Sequence, residues 1–326
     1  MNNSSRDREL VDLSVIIVSW NVRELLDKCL ESLRRARRSN AIHGQIDFSM
    51  EVIVVDSGSA DGSVELLREK HPDLTLLAQS KNVGFTRGNN IGLKRARGAF
   101  LLLLNPDTEV SPGAIALMID FMSGHPRVGI AGPHTLNSDG SHQSTRRRFP
   151  TLLTGVFEST WLSAWAPAAV ERRYRMLDTS DDDILEADWV QGSALMLRRE
   201  VYDAIGGLDE GFTMYSEELD YCRRAKAAGW QVFYHGGAII THHGGKSSEQ
   251  AAAFKQIHFQ TSKLRYFRKH HGRAQYLLLR AILLLQFGWQ LCLESLKGAL
   301  GHKRDLRAQR VRVYWQVLRT GLRVRP

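Results

Sequence analysis

Cysteine is scarce: Cys29, Cys222 and Cys292 are the three in 326 residues, far apart and odd in number. They make neither a disulfide framework nor a C-x-x-C zinc site, and a reducing cytosol is their natural setting. Two glycine patterns are also missing. Gly84, Gly88 and Gly92 are spaced by four, which is not the G-x-G-x-x-G of a dinucleotide fold. Gly245-Lys246-Ser247 would need a further glycine at position 240 to form a phosphate loop, and Ile240 stands there. Dehydrogenase and ATPase chemistry are thereby set aside. The apolar run Ala281 to Leu293, bounded by Arg280 and Glu294, lasts 13 residues and is diluted by Gln286 and Gln290. A spanning helix needs about 20 apolar residues, so a membrane crossing is not expected there. Met1 to Asp12 is polar and charged without an apolar stretch, so no signal peptide is expected.

What is present is an ordinary globular composition, 43% hydrophobic and 24% charged, which excludes collagen-like, disordered and multi-spanning chains. The net charge of +9 is unevenly distributed. From Lys255 to Pro326, 16 Lys/Arg face only Glu294 and Asp305, a net of +14 that leaves −5 on the first 254 residues. The chain is a slightly acidic body with a very basic tail.

The first 135 residues alternate short apolar runs with longer mixed segments, as a parallel sheet with crossover helices does. Leu13 to Ser19, Glu51 to Val55, Leu74 to Ala78 and Ala99 to Leu104 read as strands. The last, AFLLLL, is a run that a strand covered on both faces can hold. Ligands of such open sheets bind beyond the carboxyl ends of the strands. Attention therefore falls on Trp20 and Asn21, Asp56, residues 81–90 and residues 105–108. From about Pro133 to Asp188 the chain is irregular; order returns with a strand at 194–198, helices at 199–204 and 217–228, and a strand at 231–234. The expected organisation is a flexible segment 1–12, an α/β domain 13–250 and a basic helical region 251–326.

Several polar residues fall at that sheet edge. Asp56 closes a strand and precedes Ser57-Gly58-Ser59-Ala60-Asp61-Gly62. Its carboxylate suits a ribose or base edge, while the same stretch also reads as turn chemistry with Asp61 or Ser63 capping the next helix. Asn105-Pro106-Asp107 offers a hard divalent cation a carboxylate, and is equally a turn. Glu217 and Glu218 open a helix, where the dipole keeps carboxylates ionised. That state serves a general base and an ordinary helix start alike. Gly211-Phe212-Thr213-Met214-Tyr215 sets aromatic surface ahead of them, as a pocket wall would. His242 and His243, before two glycines, can ligate a cation or contact phosphate.

Taken in order, the series is Ser14 to Asn21 (SVIIVSWN), Val54 to Ser63 (VVDSGSADGS), Asn82-Val83-Gly84-Phe85 with Gly88-Asn89-Asn90-Ile91-Gly92, and Leu103 to Asp107 (LLNPD). Asp188 to Ala194 (DWVQGSA), Met214 to Arg224 (MYSEELDYCRR) and His242 to Ser247 (HHGGKS) complete it. This series resembles the inverting family 2 glycosyltransferases of the GT-A fold, in their bacterial rhamnosyltransferase-like branch, over roughly Leu13 to Ser248. The resemblance implies that Asn21 and Asp56 hold the nucleotide, with Asn82, Arg87 and Asn90 lining the donor site. It implies that Asp107 binds Mg²⁺ or Mn²⁺, with Asn105 replacing the first acid of a D-x-D element, and that His242 rather than His243 stands at the metal or diphosphate. Glu217-Glu218 aligns with the family's Glu-Asp pair, whose second member is the base; Glu218 is one methylene longer than that Asp. Glu217 and Asp188 could offset positive charge on the sugar.

In the tail, Val311, Tyr314, Trp315, Leu318 and Leu322 share one helical face while Arg312, Arg319 and Arg323 gather on a flank, the pattern of a helix lying in a membrane interface. The expected protein is a cytoplasmic glycosyltransferase, peripheral on the inner face of the membrane. It moves a sugar from a dTDP-, UDP- or GDP-sugar to a cell-surface glycan or lipid-linked acceptor. A sugar-phosphate nucleotidylyltransferase should carry a Gly-rich basic loop after the first strand, where Trp20-Asn21-Val22-Arg23-Glu24 has no glycine. A nucleic-acid-binding module would account for the tail alone, so no nucleic-acid partner is expected.

Overall fold

The computed structural model describes residues 11–42, 48–158, 160–244, 252–301 and 303–324. Strands β1 (Val11–Ser19), β2 (Met50–Asp56), β3 (Thr75–Leu76) and β4 (Gly98–Leu104) alternate with helices α1 (Arg23–Ile42), α2 (Ser63–Lys70) and α3 (Phe85–Arg95). Next come β5 (Thr108–Val110), α4 (Ala114–Gly124), β6 (Val128–Leu136), β7 (His142–Gln143) and β8 (Arg146–Arg147). Short helices α5 (Leu152–Phe157) and α6 (Ala168–Arg175) precede β9 (Ile184–Glu186), β10 (Trp189–Val190), β11 (Ala194–Arg198) and α7 (Arg199–Ile205). The chain continues through α8 (Glu217–Ala227), β12 (Gln231–His242), α9 (Ala252–His270), α10 (Gly272–Ala299) and α11 (Arg304–Thr320).

The main sheet runs β3-β2-β1-β4-β11-β6-β12-β5, with β7 on β6 and β9 on β12. β1, β2 and β4 are parallel, whereas β11 is antiparallel to β4 and β6, so the sheet is mixed and mostly parallel at its first edge. Alternation explains the continuous apolar run of β1. Leu13, Val15 and Ile17 join Leu26, Cys29, Leu30 and Leu33 of α1 in one core, and Ile16 and Val18 face α3. Each fully buried Val, Leu or Ile contributes about 1.5–3 kcal/mol. Gly88 and Gly92 let α3 lie directly on β1: a methyl at Gly88 would come within 2.7 Å of Val18 Cγ1, and one at Gly92 would run into Ile16. Val11 and Asp12, assigned from sequence to the terminal segment, belong to β1, and Asp12 accepts from Ser49 N at 2.7 Å. β12 runs on to His242, eight residues past the expected end, because a register shift between His235 and Ile239 absorbs Gly236 and Gly237. Cys29 and Cys222 are buried, and burial pushes both thiols up to about 12.

Residues of the described chain divide into two units. One comprises 1–148, 178–209 and 218–247 and holds the sheet; the other comprises 149–177, 210–217 and 248–326. The helical unit thus takes in more than the expected 251–326, because the middle segment and the strap before α8 pack with it. Within it, Lys263 is buried and donates to the carbonyls of Gly155 and Glu158 at 3.2 and 2.7 Å, closing the end of α5; burial pulls its amine down to about 8. Ser262 Oγ donates to Met214 O at 2.7 Å, and Tyr215 packs edge-on against Phe259.

The tail departs from expectation in which face it exposes. Leu322 is fully buried and the Tyr314 ring packs at a tilt against Phe287 of α10, so much of the α11 stripe is turned inward, although Trp315 stays exposed. On α10, Gln286 within the apolar run and Glu294 at its end are buried, Gln290 is half-buried, and Glu294 accepts from Arg307 at 2.6 Å. Hiding them leaves Leu278, Leu285, Trp289, Leu296 and Leu300 exposed. By length and composition α10, 28 residues with a mean hydropathy of 1.5 over an 18-residue stretch, is long and apolar enough to cross a membrane.

Candidate active site

The first corner of the site forms where β1 and β2 end side by side, Ser19 opposite Asp56. Asn21 adopts a left-handed backbone (φ 53); its N–H donates to Ser59 Oγ at 3.0 Å and its Oδ1 accepts from Ala60 N at 2.8 Å. Asp56 Oδ1 accepts from Ser59 N at 2.9 Å, while its Oδ2 is buried without a partner. Gly58 (φ 74) allows this loop to close, since a Cβ there would lie 2.9 Å from the Lys81 backbone. Asn82 Oδ1 accepts from Ser57 Oγ at 3.1 Å and from Gly84 N at 2.8 Å, which fixes the start of α3, where Arg87 is exposed. Asp61 takes the N–H of Arg23 and the N–H and hydroxyl of Ser63; against the upward pull of burial, these bonds hold its carboxyl below the usual range. Asn90 is buried: its amide donates to Leu208 O at 2.9 Å and accepts from Leu208 N at 2.8 Å, pinning α3 to the loop after α7.

The second corner lies where β4 ends. Asn105 N donates to Ser193 O at 2.9 Å, and Asn105 Oδ1 is buried without a partner. β12 delivers His242 opposite Thr108, so that His242 Nε2 stands 3.3 Å from Asp107 Oδ1 and 3.4 Å from Asn105 Nδ2. Asp107 and His242 are both buried. His243 points elsewhere, with Nδ1 on Ser138 Oγ and Nε2 on Glu109, each at 2.7 to 2.8 Å. The Asp107 carboxylate oxygen and the His242 imidazole nitrogen lie together here, a donor pair that suits a divalent ion, and the Asn105 amide stands beside them.

The third corner follows from the second. Ser193, which holds Asn105, has a buried hydroxyl without a partner, and the adjacent Gly192 is covered by Glu218: a methyl at Gly192 would lie 3.3 Å from Glu218 Cβ. Glu217 is buried, and Glu218 is partly exposed at the start of α8. Tyr215 and Ser216 before them are both left-handed (φ 68 and 63), a strain of about 1–2 kcal/mol per residue. Asp188 is held by Lys226 Nζ at 3.3 Å and Arg148 at 3.7 Å, so its charge is already matched. Ser193 was within a quoted motif but not singled out. Gln143, whose Oε1 lies 2.8 Å from His242 Nδ1, sits in the irregular middle of the sequence, where no pattern marks it. Lys246 and Ser247 lie outside the described residues.

Residues 14–206 match the family model for glycosyl transferase family 2. An N-acetylglucosaminyl-diphospho-decaprenol L-rhamnosyltransferase of Mycobacterium tuberculosis is 27% identical over 274 residues, 80% of this chain and 85% of that protein. A mannosyltransferase from Pyrobaculum calidifontis, solved with GDP-Man and Mn²⁺, superposes with a TM-score of 0.55 at 17% identity, covering 97% of this chain and 86% of that one. GalNAc-T7, solved with UDP, GalNAc and Mn²⁺, gives 0.56 at 14% identity over 80% of this chain and 48% of its own. The fold is the GT-A fold, and the protein is a glycosyltransferase. More narrowly, the chain belongs to glycosyl transferase family 2.

The partnerless Asp56 oxygen predicts a trade-off between stability and binding. Asp56→Asn keeps the acceptor for Ser59 N and removes a buried, unmatched charge, so the melting temperature is unchanged or higher while nucleoside diphosphate affinity falls at least tenfold. A melting scan and a calorimetric titration of the two proteins check both halves.

Proposed function

We propose that the chain transfers rhamnose, with inversion, from dTDP-rhamnose to a lipid-linked, N-acetylglucosamine-bearing acceptor in the assembly of a bacterial cell-surface glycan. The observation that carries this reading is the approach of Asp107 and the Asn105 amide to His242 at the sheet's carboxyl edge, where Asn105 bonds to Ser193 beside Gly192 and Glu218. The sugar and acceptor follow the mycobacterial relative, which spans most of the chain. Asn21, Asp56, Asn82 and Arg87 bind and orient the nucleoside diphosphate in this reading.

Asn105, Asp107 and His242 would hold Mg²⁺ or Mn²⁺, which supplies charge neutralisation to the departing diphosphate. Glu218 accepts the proton of the acceptor hydroxyl as that oxygen attacks the anomeric carbon, from the side opposite the nucleotide. The helix dipole at the start of α8 keeps Glu218 ionised for that task. Glu217, buried beside it, adds negative charge near the sugar as positive charge grows there.

The helical unit brings the enzyme to its acceptor at the cytoplasmic face. Leu278, Leu285, Trp289, Leu296 and Leu300 form one charge-free stripe about 33 Å long, at 1.5 Å per residue. The net +14 of the tail supplies attraction to anionic lipid of order 1 kcal/mol per nearby charge. α10 rather than α11 is therefore the helix that enters the interface.

Two experiments test these statements. Glu218→Gln lowers turnover by about 10² to 10⁴-fold while leaving donor affinity within twofold, measured by product formation and calorimetry; near-full activity removes Glu218 as the base. Full-length protein sediments with vesicles of anionic lipid at low salt, and Leu285→Glu with Trp289→Glu reduces the bound fraction at least tenfold, since each side chain forfeits about 1.5–3 kcal/mol of burial. Wild-type protein that stays in the supernatant contradicts the membrane role.

A further inference from the structure

The side chains behind His242 form a hydrogen-bond chain in which every donor direction is forced. It begins at Asp139, an exposed carboxylate in the tight turn between β6 and β7, where Gly140 has φ 80. A carboxylate only accepts, so Ser141 Oγ donates to Asp139 Oδ1 at 2.6 Å, as does Ser141 N at 3.0 Å. These two bonds hold the Asp139 carboxyl below the usual range, which keeps it an acceptor. With its hydrogen so directed, Ser141 Oγ accepts from Asn137 Nδ2 at 2.9 Å. Asn137 Oδ1 is then the acceptor for Gln143 Nε2, at 2.9 Å. Gln143 Oε1 in turn faces His242 Nδ1 at 2.8 Å, and an amide oxygen can only accept. His242 Nδ1 must carry the hydrogen.

We infer that Gln143, held by Asn137, Ser141 and Asp139, is a positioning residue that fixes the tautomer of His242, so that Nε2 presents a bare lone pair toward Asp107. This deepens the metal reading proposed above and rests on it for its purpose, though not for its geometry. The consequence is chemical. In the neutral ring so fixed, His242 Nε2 and Asp107 Oδ1, 3.3 Å apart, are two electron-pair donors facing each other, with the Asn105 amide nitrogen 3.4 Å from Nε2. Asn105 adds a further buried oxygen with no partner. Such a pair is satisfied by a cation between the donors, and a histidine whose other nitrogen is bonded to an acceptor is oriented and made more basic for that role. The turn itself is braced by a second contact, Ser138 Oγ with His243 Nδ1 at 2.7 Å, so the two consecutive histidines serve separate tasks. β7 sets the reach of Gln143 by pairing it with Thr135 of β6.

The test reads the tautomer directly, in full-length protein without metal, by long-range proton–nitrogen correlation of ¹⁵N-labelled imidazoles, with His242→Asn identifying the signal. The expected result is a hydrogen on Nδ1 and a bare Nε2 in the wild type, with that state lost or averaged in Gln143→Leu. Mn²⁺ affinity, followed by loss of the free-ion paramagnetic resonance signal, falls about 10- to 100-fold in the same variant. Ser141→Ala cuts the chain two residues further back, and it keeps the test alive if Gln143→Leu does not fold; the same direction of change is expected. A wild-type His242 with its hydrogen on Nε2, or variants that keep the Nδ1 hydrogen and Mn²⁺ affinity within twofold, overturn the inference. Wild-type protein with the expected tautomer but no Mn²⁺ binding overturns the metal reading and leaves the assignment of Gln143 standing.

Discussion

Two buried groups, the His242 imidazole and the Asp107 carboxylate, stand with Nε2 and Oδ1 3.3 Å apart, and this juxtaposition is the constraint on which the site depends. Both are taken out of water by burial, so each depends on what the protein sets beside it. The fold maintains the arrangement by distributing its supports. Asp107 is fixed through its carbonyl, which accepts from His243 N at 2.8 Å, and through the pairing of β5 with β12. Asn105 is fixed by Ser193, and Ser193 belongs to the turn that Glu218 covers. Asn105 and Glu218 are therefore linked through the Gly192-Ser193 turn.

The same economy runs through the nucleotide corner. Asn21, Ser59 and Asp56 exchange hydrogen bonds that leave a single Asp56 oxygen unmatched, at the place where two parallel strands end. Unmatched buried oxygens at Asp56 and Asn105, an unmatched hydroxyl at Ser193 and a left-handed residue at Asn21 collect around the sheet's carboxyl edge. Stability is surrendered in these places, as is usual where a protein must bind something charged.

Much of this was legible in the sequence because apolar runs marked the strands and polar residues marked their ends. Asp56, Asn105 and Asp107 stand at strand ends expected in that way, whereas Glu218 was marked by a helix start and His242 by the glycines after it. β6 was not, since Gly129, Gly132 and Pro133 break the look of a central strand; Gly132 is needed because a Cβ would lie 2.7 Å from Val190. Asn90 and Asp188 show the limit of motif reading: each is polar and near the site, yet one clamps a loop and the other is ion-paired with Lys226. Gln143 carried no local signal, because its place is set by a strand pairing and by a chain of donors that begins four residues earlier. In the tail, charge and helicity were plain, but which face turned outward depended on where Gln286 and Glu294 found cover.

The family membership accounts for the fold and the class of reaction. The central claim is that the carboxyl edge of the sheet binds a nucleoside diphosphate together with a divalent ion. Calorimetric titration of dTDP, with UDP and GDP as comparisons, in the presence and absence of Mn²⁺ tests it most directly. The account predicts binding of dTDP that strengthens at least tenfold with Mn²⁺; no heat of binding from any of the three nucleotides, with or without the ion, contradicts it.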